Sequence, residues 1–326
     1  MYKRLTGRIS FLLSLLFIFS GPVLAQNQWP VKTIRWIVPY AAGGFADIRA
    51  RKIGIELAKN LGQSVVIENR TGAGGVIGTD VVAKAPADGY TIGMGNLAAL
   101  AVNVSLMKKL PYDPVKDLQP VVLIERSPLI LVAGPGLKAS NLQELVAYAK
   151  ANPGKVGFAS SGIGGAHHLS GEMLKLRTGI DIVHIPYKGG APAAADLMAG
   201  HVPMMFEMGY SALPSVKSGK TRALAVTSAQ RIALLPDVPT MAEAGQAGFE
   251  SYNWQGVVVP AGTPRTIVDR LNREFNAILA LPEQRDSILA TASEVAGGTP
   301  EAFRDLIRSE TVKWAQVVRA AKIEPE

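Results

Sequence analysis

The sequence contains no cysteine. Disulfides are therefore excluded, even in an exported compartment where they persist, and so is a lipid anchor attached through cysteine. Basic runs interleaved with aromatic residues are also missing, so nucleic acid is not an expected partner. The chain shows neither an internal repeat of about 20–50 residues nor a low-complexity linker.

Long apolar runs are scarce as well. The N-terminal run, Ile9–Phe19, covers 11 residues and is interrupted by two serines, whereas a membrane-spanning helix needs about 20. Three basic residues precede this run, and Val23–Ala25 supplies small residues for cleavage. We predict a signal peptide over residues 1–25 and a soluble periplasmic protein after its removal.

The remaining 301 residues exceed one typical hydrophobic core and suit two lobes. The formal net charge of +8 falls to +5 without the three basic residues of the leader. Lysine and arginine are spread along the chain, which indicates either a surface charged for solubility or a weak attraction for anionic ligands.

Strand-like and helix-like segments alternate. Residues 33–39, 64–68 and 90–94 have strand character, and the runs between them have helical spacing. This order predicts a mostly parallel sheet covered by helices. The same rhythm restarts near residue 141, where Ser140 is the expected N-cap.

The extended stretches 121–132 and 248–259 are expected to connect two lobes. We therefore predict an α/β fold with two doubly wound lobes joined by a hinge, similar to type II periplasmic binding proteins. Lobe 1 is predicted to comprise residues 26–126 plus 251–326, and lobe 2 residues 127–250.

Two glycine-rich turns, Pro39–Asp47 and Ser160–His168, each follow a predicted strand and precede a predicted helix. Glycine lets backbone approach a ligand closely. The start of a helix carries unpaired N–H groups and a partial positive charge, so it can hold a carboxylate or phosphate. Two such turns predict one small organic anion held between two lobes.

We predict ligand contacts from both turns and from two positions near later strands. These residues are Tyr40, Ala42, Gly43, Gly44, Phe45, Asp47, Ser160, Ser161, Gly162, Ile163, Gly164, Gly165, Ala166, His167, Tyr187 and Met208. Asp47 complements the positive start of its helix, accepts a hydrogen bond from the ligand or organises its own loop. Valine at Gly43 or Gly164 is expected to weaken binding and to leave folding mostly intact.

Three alternative interpretations of these motifs are weaker. Ser160 and Ser161 lack the G-x-S-x-G pattern of a nucleophile elbow, so we predict no enzymatic activity, with a serine hydrolase as a remote alternative. His167 and His168 lack enough partners for a metal site and are expected to cap or pack. The turn Gly72–Gly78 is one residue too long for a dinucleotide fingerprint, so no cofactor is predicted.

The chain resembles the Bug family, the solute-binding receptors of tripartite tricarboxylate transporters, from about Trp29 to the C-terminus. The motifs that carry the resemblance are Pro39 with Gly43-Gly44 and Asp47, Glu68-Asn-Arg70 with Gly72-Ala-Gly-Gly75, Asp88-Gly-Tyr90, Ser160-Ser-Gly162 with His168-Leu169, Pro186-Tyr-Lys-Gly-Gly190, Leu235-Pro-Asp-Val-Pro-Thr240 and Pro260-Ala-Gly-Thr-Pro264.

The resemblance implies two α/β lobes that close on a carboxylate-bearing metabolite. It implies that the first turn grips a carboxylate through backbone amides and ordered water, and that the second lobe's turn completes the grip. It also implies hand-over to membrane permease subunits. We expect a monomer, with a sensor subunit for a membrane signalling protein as the alternative role.

The sequence departs from the family at positions expected to set specificity. Ile163 replaces a common polar residue, His167 stands where glutamine is common, and Glu207-Met208 replaces the usual Asp-Asn. Several side-chain donors are therefore lost. We predict a monocarboxylate or an aromatic carboxylate, packed against Phe45, Ile163 and Met208.

Overall fold

The structure is a computed structural model that describes residues 29–324. The predicted signal peptide lies outside the described residues. Within them, ten strands form one continuous sheet. The strands are β1 (Ile34–Val38), β2 (Val65–Asn69), β3 (Thr91–Asn96), β4 (Leu118–Ala133), β5 (Val156–Ser160), β6 (Ile182–Pro186), β7 (Met204–Met208), β8 (Arg222–Val226), β9 (Tyr252–Pro260) and β10 (Glu294–Gly297).

Ten α-helices cover this sheet within the same described range. The helices are α1 (Phe45–Leu61), α2 (Val76–Ala83), α3 (Asn103–Leu106), α4 (Leu142–Ala151), α5 (Ala166–Thr178), α6 (Gly190–Ala199), α7 (Gly209–Lys217), α8 (Arg265–Ala280), α9 (Pro282–Leu289) and α10 (Pro300–Ala320). A π-helical turn over Ala98–Val102 leads directly into α3. None of these helices combines the length and apolar character needed to cross a bilayer.

The strand order is β2-β1-β3-β9-β4-β7-β5-β6, and β8 and β10 also pair with β4. Strands β1, β2 and β3 are parallel to one another, as are β5, β6 and β7. Two parallel β-α-β arrays therefore flank a shared antiparallel centre. This architecture confirms the predicted α/β fold with two lobes.

Strand β4 belongs to both arrays. Its segment Leu118–Pro128 pairs with β9, whereas Leu129–Ala133 pairs with β7 and β8. The two stretches predicted to connect the lobes are thus β4 and β9, hydrogen-bonded side by side. We call the array containing β1–β3 lobe 1 and the array containing β5–β7 lobe 2.

Aromatic pairs anchor helices on the sheet of lobe 1. Trp36 on β1 meets Phe275 of α8 edge to face, with ring centroids 5.4 Å apart. Trp254 on β9 meets Phe303 of α10 in the same way at 5.6 Å. All four side chains are buried, so these contacts add aromatic geometry to a large apolar area removed from water.

The cap of α4 corrects one prediction. Asn141, not Ser140, is the N-cap, and its side chain accepts a hydrogen bond from the Glu144 N–H at 2.8 Å. The Glu144 carboxylate in turn accepts from the Ser140 N–H at 2.7 Å. This pair resembles a capping box, except that Glu144 accepts from the residue before the N-cap. The sequence does not distinguish Ser140 from Asn141 as the cap, because serine and asparagine cap helices equally well.

Candidate ligand-binding cleft

A cavity of about 430 Å³ lies between the two lobes. Both predicted turns contribute to its wall, as do residues of the turn after β2 and of β9. The lining residues are Tyr40, Ala41, Gly44, Phe45, Ala46, Gly74, Asn96, Leu97, Ala98, Asn103, Ser161, Gly162, Ile163, Gly164, Gly165, Ala166, His167, Gly189, Gly190, Asn253 and Gln255. Its size suits a small metabolite.

The first turn runs from the end of β1 to the start of α1, with Gly44 as N-cap. Within the described residues, no side chain caps this helix, so its first N–H groups remain available. Gly43 has φ of +76°, a backbone conformation that glycine adopts without strain. The turn thereby brings the start of α1 to the cavity.

Asp47 organises the first turn from behind. Its Oδ2 accepts hydrogen bonds from the Gly43 N–H at 2.8 Å and from Arg51 Nε at 2.9 Å, and its Oδ1 accepts from Asn69 Nδ2 at 2.9 Å. Burial disfavours the charged form, but these hydrogen bonds outweigh burial and hold the pKa of the Asp47 carboxyl below its usual value. Of the roles considered for Asp47, the geometry supports loop organisation.

The second turn connects β5 to α5, with Gly165 as N-cap and again no side-chain cap among the described residues. Gly164 has φ of +76°, and its N–H donates to His168 Nδ1 at 3.1 Å. The Ser161 hydroxyl lies 2.7 Å from His167 Nδ1. Side chains from α5 therefore fix the turn and leave the helix start facing the cavity.

The histidines pack behind this turn. The rings of His168 and His184 stack with centroids 3.8 Å apart, and His184 Nε2 lies 2.6 Å from the Ser160 hydroxyl. Within residues 29–324, no group of three or more candidate ligands is placed to hold a metal ion. The positions support the capping and packing interpretation.

Burial keeps these histidines neutral in the folded protein. Burial lowers the pKa of His167 to about 4. Burial, with smaller contributions from His184 and Lys175, lowers the pKa of His168 to about 3. Burial and then Lys175 lower the pKa of His184 to about 4. The unfolded chain, with histidine pKa values near 6.5, takes up protons first as the pH falls.

We therefore expect the free energy of unfolding to fall from pH 6.5 towards pH 4, with each of these three histidines contributing up to about 1.4 kcal/mol per pH unit. His168→Gln is expected to flatten this slope in urea unfolding measured at several pH values. His201→Gln is the control, because the His201 side chain is 69% exposed. Equal slopes in the wild type and His168→Gln would contradict the expectation.

A third glycine turn, after β2, completes the wall of lobe 1. Gly74 lines the cavity beside Tyr40, whose hydroxyl donates to the Gly74 carbonyl at 3.4 Å. Burial, opposed by the neighbouring Asn96 amide, raises the pKa of Tyr40 to about 12, so the phenol stays protonated. The sequence interpretation treats Gly72–Gly78 as a purely structural turn and misses this contribution.

Phe45 and Ile163, two of the predicted contact residues, lie on the cavity wall. The Phe45 ring also stacks on Tyr210 of α7, with centroids 5.3 Å apart and planes 13° apart. Because Phe45 opens α1 in lobe 1 and α7 follows β7 in lobe 2, this stack joins the lobes beside the cleft. Ile163 remains half exposed and presents an apolar side chain from the opposite turn.

Some predicted residues do not line the cavity. These are Ala42, Gly43, Asp47, Ser160, Tyr187 and Met208. Ser160 and Met208 are buried in lobe 2. The Tyr187 hydroxyl donates instead to Asp196 at 2.7 Å. Ala42 and Gly43 lie at the exposed bend before the helix starts. A ligand in this cavity would therefore meet the helix starts rather than the whole of each turn.

The sequence interpretation also misses several lining residues. Gln255 on β9 is the most constrained of them: its Nε2 donates to Glu125, which forms a buried ion pair with Arg49 of α1. Gly189 and Gly190 bring the start of α6 to the wall. The sequence does predict that their turn faces the cleft, since it lies at the carboxyl end of a parallel strand, but of this turn only Tyr187 is among the predicted contacts. Gln255 carries no local signal.

Comparison with known proteins identifies a family with this architecture. Residues 49–323 match the sequence model of a family described as "Tripartite tricarboxylate transporter family receptor". Protein BugT of Bordetella pertussis is 42% identical over 301 residues, which cover 92% of this chain and 92% of BugT.

Solved structures agree with this family match. A structure of an R. palustris protein with adipate superposes with a TM-score of 0.84 at 36% identity, covering 91% of this chain and 100% of the other. MatC from Rhodopseudomonas palustris with bound malate gives 0.79 at 34% identity, covering 89% and 100%. These matches confirm the resemblance: the chain belongs to the receptor family of the tripartite tricarboxylate transporters.

Proposed function

We propose that this receptor captures one small organic carboxylate between the starts of α1 and α5. The observation that carries the proposal is that both helix starts lack a side-chain cap among the described residues and line the same cavity. Free N–H groups and the positive ends of two helix dipoles suit a carboxylate. The adipate and malate in the two related structures support this ligand class.

The chemistry of the wall favours a ligand with one negative charge and an apolar body. Among the described residues, none that lines the cavity is lysine, arginine, aspartate or glutamate. A second carboxylate would lose its hydration without a cation to compensate. Phe45 and Ile163 offer apolar surface, so we propose a monocarboxylate or an aromatic carboxylate.

Capture requires that the lobes move relative to each other. We propose lobe boundaries at residues 26–126 plus 251–326 and 127–250, since β4 changes its pairing partner at Pro128–Leu129 and β9 begins at Tyr252. Paired strands bend as a hinge rather than tumble as a loose linker does. We propose that the protein is exported to the periplasm by residues 1–25, acts as a monomer, and delivers its ligand to membrane permease subunits.

We propose that the receptor has no catalytic activity. The Ser160 hydroxyl does contact His184, as a nucleophile contacts its base. However, Ser160 is 0% exposed and does not line the cavity, so a substrate has no access to it. The contact is explained by packing of the turn.

Thermal-shift assays and calorimetry test the ligand class. We expect valerate and phenylbutyrate to raise the melting temperature, with about 2.7 kcal/mol of added stability at a hundredfold excess over Kd. Malate and citrate are expected to give little shift. If only short di- and tricarboxylates stabilise the protein, the monocarboxylate proposal is wrong. If no carboxylate stabilises it, native mass spectrometry of freshly purified protein will identify a different ligand class.

A further inference from the structure

Each of the two glycine turns at the cleft is contacted by a large side chain of the opposite lobe. The first turn belongs to lobe 1 and contains Phe45, whose ring stacks on Tyr210 of lobe 2 with centroids 5.3 Å apart. The second turn belongs to lobe 2 and contains Gly164. A Cβ added to Gly164 would lie 2.3 Å from Leu106 Cδ1 of lobe 1, so Leu106 packs directly on this backbone. The two contacts are reciprocal, because each lobe supports the turn of the other.

Neither of the two supporting side chains lines the cavity. Leu106 ends α3 and is 6% exposed, whereas Tyr210 is the second residue of α7 and is 45% exposed. A ligand in the cavity would meet the turns and not these side chains. Any effect of Leu106 or Tyr210 on binding is therefore transmitted through the turns.

The contact with Tyr210 fixes the start of α1. Phe45 is the first residue of this helix and directly follows its N-cap, Gly44. The two rings lie 13° from parallel, which is the offset stacking that aromatic pairs favour. Because the Phe45 ring also lines the cavity, part of the wall of lobe 1 is held by a tyrosine of lobe 2.

The contact with Leu106 fixes the backbone just before α5. Gly164 has no side chain, so Leu106 can approach this turn closely. The Gly164 N–H also donates to His168 Nδ1 at 3.1 Å. The second turn is thus held by α5 of its own lobe and by α3 of the opposite lobe, next to the N-cap Gly165.

We propose that Tyr210 and Leu106 are positioning residues that couple closure of the lobes to the ordering of the two ligand turns. Each contact crosses between the lobes, so it forms only when the lobes meet. A ligand that binds the ordered turns then favours the closed arrangement, and loss of either contact lowers the population that is competent to bind. The effect on binding rests on the proposed function, whereas the ordering of the turns does not.

Hydrogen exchange of the unliganded protein tests the coupling through Tyr210. In Tyr210→Ala, a substitution in lobe 2, we expect about three- to tenfold faster exchange in peptides covering residues 41–50 of lobe 1. The Ile48 N–H, which donates to the Gly44 carbonyl at 2.9 Å, lies in this segment. Tyr210→Phe keeps the ring and is expected to exchange like the wild type. Tyr148→Ala, which truncates a 41% exposed tyrosine on α4 of lobe 2, is the matched control without an effect on this segment.

The reciprocal test uses Leu106→Val, which withdraws the methyl group that meets Gly164. We expect faster exchange in peptides covering residues 161–170 of lobe 2, although the substitution is in lobe 1. Leu57→Val shortens a buried leucine of α1 that packs in a separate core cluster. This control separates a general loss of stability from the local effect on the second turn.

Stopped-flow binding of phenylbutyrate tests the coupling to the ligand. We expect Tyr210→Ala to raise Kd about three- to tenfold, mostly through faster dissociation, and Tyr210→Phe to stay within about twofold of the wild type. Equal binding by Tyr210→Ala and the wild type would overturn the coupling to the ligand.

The exchange experiment separates this inference from the proposed function. Unchanged exchange over residues 41–50 in Tyr210→Ala, or equally fast exchange in Tyr210→Phe, would overturn the positioning role of Tyr210. Unchanged exchange over residues 161–170 in Leu106→Val would overturn that of Leu106. If neither phenylbutyrate nor valerate binds the wild type, the proposed ligand class fails, and hydrogen exchange still decides whether each lobe orders the turn of the other.

Discussion

Replacing Gly190 by leucine is expected to weaken carboxylate binding by about 100-fold or more, because the side chain would occupy the space proposed for the ligand. Gly190 lines the cavity and opens α6. A Cβ added there meets no atom within 4 Å, and its φ lies outside the range that strains L-residues. Calorimetry with the tightest-binding acid of the screen measures the loss.

The same variant is expected to keep or gain stability. Glycine loses more backbone freedom on folding than other residues, so leucine at an unstrained helical position adds up to about 1 kcal/mol to the free energy of unfolding. Gly190→Ala is the graded control, with a smaller loss of affinity and a similar stability. Unchanged affinity in Gly190→Leu would mean that the ligand lies elsewhere.

This choice of glycine depends on the structure. The sequence interpretation selects Gly43 and Gly164 for valine substitution and expects folding to remain mostly intact. Both have φ of +76°, which strains any β-branched residue, and a Cβ at Gly164 would lie 2.3 Å from Leu106 Cδ1. Because Leu106 belongs to lobe 1, this clash is a tertiary contact that local spacing does not report. The structure therefore predicts that both valine variants also lose stability, so a loss of binding in them would not by itself locate the ligand.

The alternation of strands and helices is predictable because it rests on local periodicity and on glycines at element ends. Helix α1 illustrates this: its apolar spacing and Gly62, in the left-handed C-cap, both lie in the sequence. Its start at Phe45 has no comparable signal, because the Gly44 cap is formed by backbone alone. Helix α7 is missed altogether, since Gly209 and Pro214 are poor helix residues that tertiary packing overrides.

The candidate site also combines residues that the sequence signals with residues that it does not. Its two glycine turns have a sequence signature, because the backbone conformation demands glycine there. Asn96, Asn103 and Gln255 come from a strand end, a short helix and the returning strand β9. Such residues meet only after the sheet has formed, so single-residue patterns give no warning of them.

Removing the charge of Arg49 is expected to cost about 3–5 kcal/mol of stability, the largest effect of any substitution proposed for this protein. Arg49 and Glu125 are 4% and 0% exposed, and both guanidinium–carboxylate contacts measure 2.9 Å. In Arg49→Met, the Glu125 carboxylate stays buried with Gln255 as its remaining side-chain donor. Denaturant unfolding of the purified protein measures the loss.

Arg35→Met is the matched control, since Arg35 also binds a carboxylate, Glu68, through two nitrogens but has a 44% exposed side chain. Its expected cost is below about 1 kcal/mol, because solvent screens exposed pairs. Adding Glu125→Gln to Arg49→Met removes both buried charges and is expected to recover most of the loss. Glu125 lies on β4, Arg49 on α1 and Gln255 on the cavity wall, so the pair ties the connecting strand to the helix that faces the ligand. Equal losses for Arg49→Met and Arg35→Met would show that burial gives this pair no special weight.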